Sequence, residues 1–133
     1  MSRLHNLYQP VLFFLLLGID QLSKYTVRQL DGFYICNPNI AFGLTIPENI
    51  FWVFWIVAIL IILFFTYKKL RSWEIFLWLA ILAGAISNFI DRIFMGCVLD
   101  FIDLKIWPTF NLADCFIALG AVILIFKNWR IKK

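Results

Sequence analysis

Four long apolar runs, separated by short polar breaks, limit what this chain can fold into more than any other feature. The runs cover residues 8–29, 50–67, 74–95 and 109–126, and each is close to the roughly 20 residues that a helix needs to cross a bilayer. Hydrophobic residues make up 63% of the 133 residues, more than a soluble domain of this size can bury. The sequence therefore predicts an all-α membrane protein of one domain, residues 1–133, with four transmembrane helices.

The first apolar run has two interpretations, a cleavable signal peptide or a retained membrane anchor. No small-x-small cleavage motif follows the run, and Asp20 occupies the position where such a motif would lie. We therefore expect a retained helix. Asp20 and Lys24 lie one helical turn apart within it, so the two side chains can form an ion pair near the membrane surface.

Positive charges are divided unevenly between the two sides of the predicted membrane. Most lie near the chain termini and in the break after the second run, and the positive-inside rule places these segments in the cytoplasm. They are Arg3, Lys68, Lys69, Arg71, Lys127, Arg130, Lys132 and Lys133. The breaks on the other side contain Lys105 and two segments with the composition of β-strands, 33–36 and 98–101. Both termini are thus expected in the cytoplasm, with a small extracytoplasmic β element.

This topology gathers the polar residues of the first, third and fourth helices at the extracytoplasmic end. They are Asp20, Lys24, Asn88, Asp91, Arg92, Asn111 and Asp114, with Asp100 in the break before the fourth helix. Each also has a purely structural explanation, because membrane charges often pair with one another and amides form interhelical hydrogen bonds worth about 1 kcal/mol. The small residues at 83–87 predict close packing of the third helix against a neighbour.

Two of these acids, Asp100 and Asp114, are the hardest to explain as scaffold. An acid in a first helical turn compensates the helix dipole, but this does not explain a second acid opposite it. Two carboxyl groups that share a site ionise one at a time, so that one can activate water while the other polarises a carbonyl. We interpret the pair as a candidate aspartyl peptidase site. From the residues alone, a plain scaffold and a cation site of Asp91, Asp100, Asp103 and Asp114 remain alternatives.

Other classes of site find less support in the sequence. The single histidine, His5, lies on the predicted cytoplasmic side, and the neighbouring Ser23 and Lys24 point apart on a helix. The three cysteines form no CxxC pair, and we expect them to be unpaired apolar fillers. They are Cys36, Cys97 and Cys115. No metal or cofactor is predicted, and no nucleic acid is expected, since basic and aromatic residues do not alternate along one face.

Five short blocks resemble, in the same order, the motifs of lipoprotein signal peptidase (signal peptidase II), a family of bacterial aspartyl peptidases of the cell membrane. The blocks are Asp20–Lys24, Asn37–Gly43, Ala83–Arg92, Gly96–Phe101 and Pro108–Asp114. One block alone is a weak signal, whereas five in order across nearly the whole chain are specific. The chain departs from glycines usual in the family at three positions, which are Asn39, Ala83 and Ser87.

The resemblance implies that Asp100 and Asp114 are the catalytic pair, at the extracytoplasmic face of the bacterial inner membrane. The other implied roles are substrate binding by Asn37, Asn88, Arg92 and Asn111, and structural support by Asp20, Lys24 and Asp91. The implied substrate is a prolipoprotein with a diacylglyceryl-modified cysteine, cut just before that cysteine. Membrane lipid and a globomycin-type inhibitor are the other implied partners, and we expect a monomer. The alternative is a non-catalytic membrane protein of the same fold that binds lipopeptides.

Overall fold

The computed structural model describes residues 3–38, 47–70 and 72–131. Within these residues, four helices and two short strands follow one another. They are α1 (Arg3–Gln29), β1 (Ile35–Asn37), α2 (Glu48–Lys68), α3 (Ile75–Met95), β2 (Val98–Asp100) and α4 (Leu112–Ile131). Each helix contains a stretch long and apolar enough to cross a membrane, so the predicted fold of four membrane helices with a small β element is confirmed. The predicted turn at 37–39 and the block up to Gly43 lie mostly outside the described residues.

Helix α3 forms the centre of the bundle and packs against α1, α2 and α4. In its apolar stretch 61% of the residues are buried inside the protein, compared with 6% in α2. Helix α2 is apolar on all sides, which is typical of a helix surrounded mainly by lipid. Aromatic contacts hold α2 on α3, including a stacked pair of Phe65 and Trp78 with ring centroids 5.0 Å apart.

Two glycines allow α3 and α4 to approach closely. A Cβ atom built on Gly84 would lie 2.5 Å from the carbonyl oxygen of Ala113, and one on Gly120 would lie 2.6 Å from Cγ1 of Ile81. Real Cβ atoms do not come so near, so both positions require a hydrogen in place of a side chain. The close packing predicted for the small residues at 83–87 is present, and Gly84 is the residue that chiefly permits it.

The two strands form one antiparallel ladder in which Ile35 pairs with Asp100, and Asn37 with Val98. After β2, a bridge between Ile102 and Phe110 closes the connection to α4. This bridge keeps Phe110 extended, and α4 begins at Leu112, three residues after the predicted start of the fourth span. The ladder lies at the end of the bundle where α1 and α3 finish and α4 begins.

Charged residues hold the opposite end of the bundle together. Glu74, just before α3, forms ion pairs with Lys69 after α2 and with Lys127 near the end of α4. These two lysines hold the pKa of Glu74 below its usual value, mainly through hydrogen bonds from Lys127. The side chain of Gln9 in α1 donates to the carbonyl oxygen of Leu70, so all four helices are connected at this end.

Candidate active site

The start of α4 fixes the position of Asp114. The Oδ1 atom of Asn111 accepts a hydrogen bond from the Asp114 amide at 3.0 Å, and Oδ2 of Asp114 accepts one from the Asn111 amide at 3.2 Å. This reciprocal cap satisfies two amides that the first helical turn leaves without intrahelical partners. Because one carboxylate oxygen is used in the cap, the other points away from the helix, toward α3.

Asp100 ends β2 and is 3% exposed. Its Oδ1 atom accepts a hydrogen bond from Nδ2 of Asn111 at 2.8 Å, and its Oδ2 atom accepts one from Nδ2 of Asn37 at 3.1 Å. The pKa of Asp100 is raised to about 6, mainly by burial, with a contribution from the negative charge of Asp114, while the hydrogen bonds from Asn37 and Asn111 lower it.

Two carboxamides connect the two acids. Nδ2 of Asn111 donates to Asp100 and also to Oδ1 of Asn88 at 3.1 Å. Nδ2 of Asn88 in turn donates to Oδ1 of Asp114 at 2.8 Å. An unbroken path of hydrogen bonds therefore runs from one carboxyl group to the other, through residues of β2, α3 and α4. Asp114 is only half-buried, so the pair is not sealed from its surroundings.

A buried lysine supports this path from α1. Nζ of Lys24 lies 2.6 Å from a carboxylate oxygen of Asp20 and 2.6 Å from one of Asp91, and it donates to Oδ1 of Asn88 at 2.9 Å. The three protons of the ammonium group thus have three acceptors. The ion pair expected between Asp20 and Lys24 is present, and it also includes Asp91 of α3.

Asp20 also acts as a cap for α4, which the sequence did not suggest. Its Oδ1 atom accepts a hydrogen bond from the amide of Ala113 at 2.8 Å, and its Oδ2 atom accepts one from the Ser87 hydroxyl at 2.6 Å. Gln21 donates to the Ser87 hydroxyl and to Oδ1 of Asp91, each at 2.8 Å. Ser87 was expected only as one of the small packing residues at 83–87, and Gln21 was assigned no role, although both lie in blocks that carry the resemblance.

Arg92 points to a different neighbour from the other polar residues of α3. Its guanidinium carbon lies 4.7 Å from the ring centroid of Trp55 and 5.3 Å from that of Phe51, both in α2. Its Nη1 atom donates to the carbonyl oxygen of Asn88 at 3.1 Å. Arg92 remains close enough to Asp100 and Asp114 to interact with both electrostatically.

The four acids considered as a cation site are not brought together as one cluster. Asp103 lies in the loop after β2, where it pairs with Lys105, and Asp91 is occupied by Lys24. Within residues 3–38, 47–70 and 72–131, no group of three or more His, Cys, Asp or Glu side chains is arranged to hold a metal ion.

The expectation for the cysteines was wrong for two of the three. Cys36 and Cys97 form a disulfide with Cα atoms 5.4 Å apart, while Cys115 is a free thiol. The number of cysteines is odd and their spacing is wide, so the sequence did not indicate this disulfide. Its two cysteines are 61 residues apart and meet only when β1 pairs with β2. The signal that could have revealed it is that Cys36 and Cys97 lie in or next to the two segments predicted as strands.

Comparison with known proteins identifies the family. The family model for signal peptidase (SPase) II matches residues 12–130. The chain belongs to the signal peptidase II family. A lipoprotein signal peptidase of Moorella thermoacetica is 39% identical over 85% of this chain and 87% of its own length, and one of Thermodesulfovibrio yellowstonii is 34% identical over 88% and 91%.

Two solved structures share the fold of this chain. Two bacterial membrane enzymes superpose with TM-scores of 0.79 and 0.78, at 23% and 25% identity, and the matches cover 95% and 90% of this chain and 90% and 91% of theirs. As a member of the family the chain is a protease of the membrane that processes lipoproteins, and the non-catalytic alternative is not favoured.

Proposed function

We propose that this signal peptidase II hydrolyses the peptide bond just before the lipid-modified cysteine of a prolipoprotein, with Asp100 and Asp114 as the catalytic pair. The observation that carries the proposal is the hydrogen-bonded path that joins the two carboxyl groups through Asn111 and Asn88. It supports a shared site because it holds the two acids in a fixed relation, one at the end of a strand and the other in the first turn of a helix.

The charges around the pair favour one shared proton. Near this end of the bundle four carboxyl groups lie beside two cations, Lys24 and Arg92. Lys24 offsets one of the two charges of Asp20 and Asp91, and Arg92 offsets one more, so four ionised carboxylates would leave this end with an excess of negative charge. Two carboxyl groups in such a place ionise in separate steps, and the pair has to be treated as a unit.

The proposed mechanism uses the two protonation states together. The ionised carboxylate takes a proton from a water molecule, which attacks the scissile carbonyl carbon. The protonated carboxyl group gives its proton to the carbonyl oxygen, so no free oxyanion forms. When the tetrahedral intermediate collapses, the carboxyl group that took the proton from water gives it to the departing amine. The other carboxylate takes a proton back from a hydroxyl group of the intermediate, so the pair regains its starting state.

The surrounding residues divide into two proposed groups. We assign Asn37, Asn88, Arg92 and Asn111 to positioning the substrate and the catalytic pair. Asp20, Lys24 and Asp91 support the site, since their ion pairs fix α1 against α3 and the cap on Ala113 fixes α4.

We further propose that the site lies at the extracytoplasmic face of a bacterial inner membrane. The excess of Lys and Arg at the other end of the bundle supports this orientation. So does the disulfide beside Asp100, because disulfides persist outside the cytoplasm and are rare within it. The partners are then a diacylglyceryl-modified prolipoprotein, membrane lipid and globomycin-type cyclic lipopeptides, with the enzyme acting as a monomer.

A cleavage assay on a lipidated precursor tests the assignment of the acids. We expect Asp100→Asn and Asp114→Asn each to lower the cleavage rate at least about 10³-fold, as the loss of a catalytic acid or base does, while both variants keep the wild-type melting behaviour. Asp103→Asn is the matched control, because this half-buried acid pairs with Lys105 in the loop after β2 and makes no contact with the proposed pair in the hydrogen bonds described. A globomycin-type peptide should inhibit the wild type, and EDTA should not. Cleavage retained in both Asp100→Asn and Asp114→Asn would contradict the proposal.

A further inference from the structure

The two faces of the β ladder carry different chemistry. Side chains alternate between the faces of a strand, and in this register Asn37 and Asp100 lie on one face. Cys36 and Cys97 lie on the other face. Cys36 directly precedes Asn37 and Cys97 directly precedes Val98, whose side chains are on the same face as Asp100. The hydrogen bond from Asn37 to Asp100 and the disulfide are therefore diagonal cross-strand contacts on opposite sides of the same short sheet.

The two strands are not held equally by the rest of the protein. All three residues of β2 are buried, the amide of Leu99 lies 3.5 Å from a carboxylate oxygen of Asp91, and the Ile102–Phe110 bridge follows directly. In β1, Ile35 and Cys36 are exposed and Asn37 is only half-buried. A ladder of three residues in two strands is marginal by itself, so the attachment of β1 depends on additional contacts.

We propose that the Cys36–Cys97 disulfide is a positioning element of the peptidase, which holds β1 on β2 and so keeps the Asn37 carboxamide on the Asp100 carboxyl group. This inference rests on the proposed role of Asp100 in catalysis. The sulfur atoms touch neither acid, and the disulfide acts only through Asn37.

Loss of the cross-link has a specific consequence for the acid pair. Without it, β1 separates from β2 for part of the time, and Asp100 loses one of its two amide donors. Because the Asn37 hydrogen bond favours the charged form of Asp100, its loss raises the pKa of that carboxyl group. The alkaline limb of the pH–rate profile, where Asp100 loses the proton that it must donate, should then move to higher pH, which a general loosening of the bundle would not produce.

The first experiment counts thiols and needs no activity. The full chain is taken from its native membranes, denatured in detergent and treated with a maleimide that adds a fixed mass to each free thiol. We expect one adduct before reduction, on Cys115, and three after it. Three adducts before reduction would overturn the proposal, whatever the enzyme cleaves.

The second experiment measures the attachment of β1, also without substrate. We expect amide hydrogen exchange at residues 35–37 to be at least about tenfold faster in the Cys36→Ser/Cys97→Ser variant, since the ladder opens more often. Cys115→Ser is the matched control and should exchange like the wild type. Unchanged exchange in the double variant would show that the disulfide does not hold the strand, and the proposal would fall even if the chain proved to cleave no lipoprotein.

The third experiment connects the cross-link to catalysis. In the double serine variant we expect kcat/KM measured below this limb to fall roughly tenfold, because Asp100 loses a hydrogen bond that stabilises the charge it acquires when it gives up its proton. The alkaline limb should shift upward. Asn37→Ala alone should shift the limb in the same direction, and adding it to the double serine variant should change little, because both act through one contact. Additive losses, or an unshifted limb in the double variant, would refute a positioning role and leave the assignment of Asp100 itself intact.

Discussion

Asp100 is buried next to a second carboxyl group, and its pKa is raised to about 6, mainly by burial. Because the negative charge of Asp114 contributes to this shift, the value describes Asp100 losing its proton beside a carboxylate that is already charged. The pair must keep one proton to protonate the carbonyl oxygen, so ionisation of Asp100 removes the acid. We therefore expect kcat/KM to fall by up to about tenfold per pH unit above pH 6, on the alkaline limb of the pH–rate profile. The measurement is the rate of cleavage of a lipidated precursor peptide between about pH 4.5 and 8, a range that extends from ordinary carboxyl titration to above that of imidazole.

A substitution next to Asp100 tests whether ionisation of this carboxyl group controls the limb of the pH–rate profile. In Asn37→Ala the carboxyl group loses a donor that holds its pKa down, so the limb should move to higher pH. Gln9→Ala, at the other end of α1, removes a hydrogen bond of the same kind and should leave the limb in place. A limb that stays near its wild-type position in Asn37→Ala would show that another group controls it.

Lys24 is the residue whose loss should cost most stability. It is 3% exposed and lies between two carboxylates, those of Asp20 and Asp91. Lys24→Met would leave both acids buried without a cation, and removal of one partner from a buried ion pair costs roughly 3–5 kcal/mol. We expect a large fall in the melting temperature measured in detergent.

Arg28 provides the control for this substitution. It lies one turn further along α1, is exposed, and its Nη1 atom contacts the sulfur of Met95. Arg28→Met removes the same charge from the same helix but leaves no buried acid without its cation, so its melting temperature should stay near that of the wild type. Equal effects of Lys24→Met and Arg28→Met would mean that the ion pairs with Asp20 and Asp91 add little to the stability of the fold.

At the scale of the elements, the sequence was informative wherever a pattern is local. Long apolar runs define the four helices because the bilayer sets their length, and Asn111 with Asp114 marks the start of α4 because a cap requires polar groups at that spacing. The order of the blocks also brought the candidate acids to one end of the bundle. These features depend on neighbours in the chain or on the membrane.

Features that depend on tertiary register were not predictable in the same way. The Cys36–Cys97 disulfide exists only because β1 and β2 pair as they do, and neither cysteine has a local partner. The cap that Asp20 provides for Ala113 joins residues 93 positions apart, so no spacing reveals it. Arg92 shares a helical turn with Asp91 yet faces the rings of α2, because the direction of each side chain depends on which helix packs beside it.

The contact between α3 and α4 leads to a prediction at this scale. In Gly84→Ala the new methyl group would lie 2.5 Å from the carbonyl oxygen of Ala113 and 2.9 Å from Cγ1 of Ile117. The helices must separate, at a cost of roughly 1–3 kcal/mol, and the shift occurs one residue from Asp114. We expect a lower melting temperature together with slower cleavage.

Gly18 is the matched control for Gly84. It lies in α1, and a Cβ atom there meets nothing within 4 Å. Since alanine is the better helix former by about 1 kcal/mol, Gly18→Ala should keep or slightly raise the melting temperature. A loss of stability in Gly18→Ala equal to that in Gly84→Ala would mean that backbone preference, rather than the approach of α4, explains the effect.

Across the whole molecule, the two ends of the bundle have opposite electrostatic character. In the described part of the chain, one end carries basic residues around Glu74, whose pKa is lowered by Lys127 and Lys69. The other end carries the acid pair, the buried ion pairs and the disulfide. Because positive charge is retained on the cytoplasmic side of membranes, this division predicts which end faces outward.

Labelling single cysteines in intact cells or spheroplasts tests that orientation. In the Cys115→Ser background the remaining cysteines are paired, so a new thiol is the one that reacts with a membrane-impermeant maleimide. Lys105→Cys, in the loop after β2, should react from outside. Leu70→Cys, in the turn between α2 and α3, should react only after the membrane is opened. The reverse pattern would place the acid pair on the cytoplasmic side, where a substrate whose lipoprotein part is exported could not reach it.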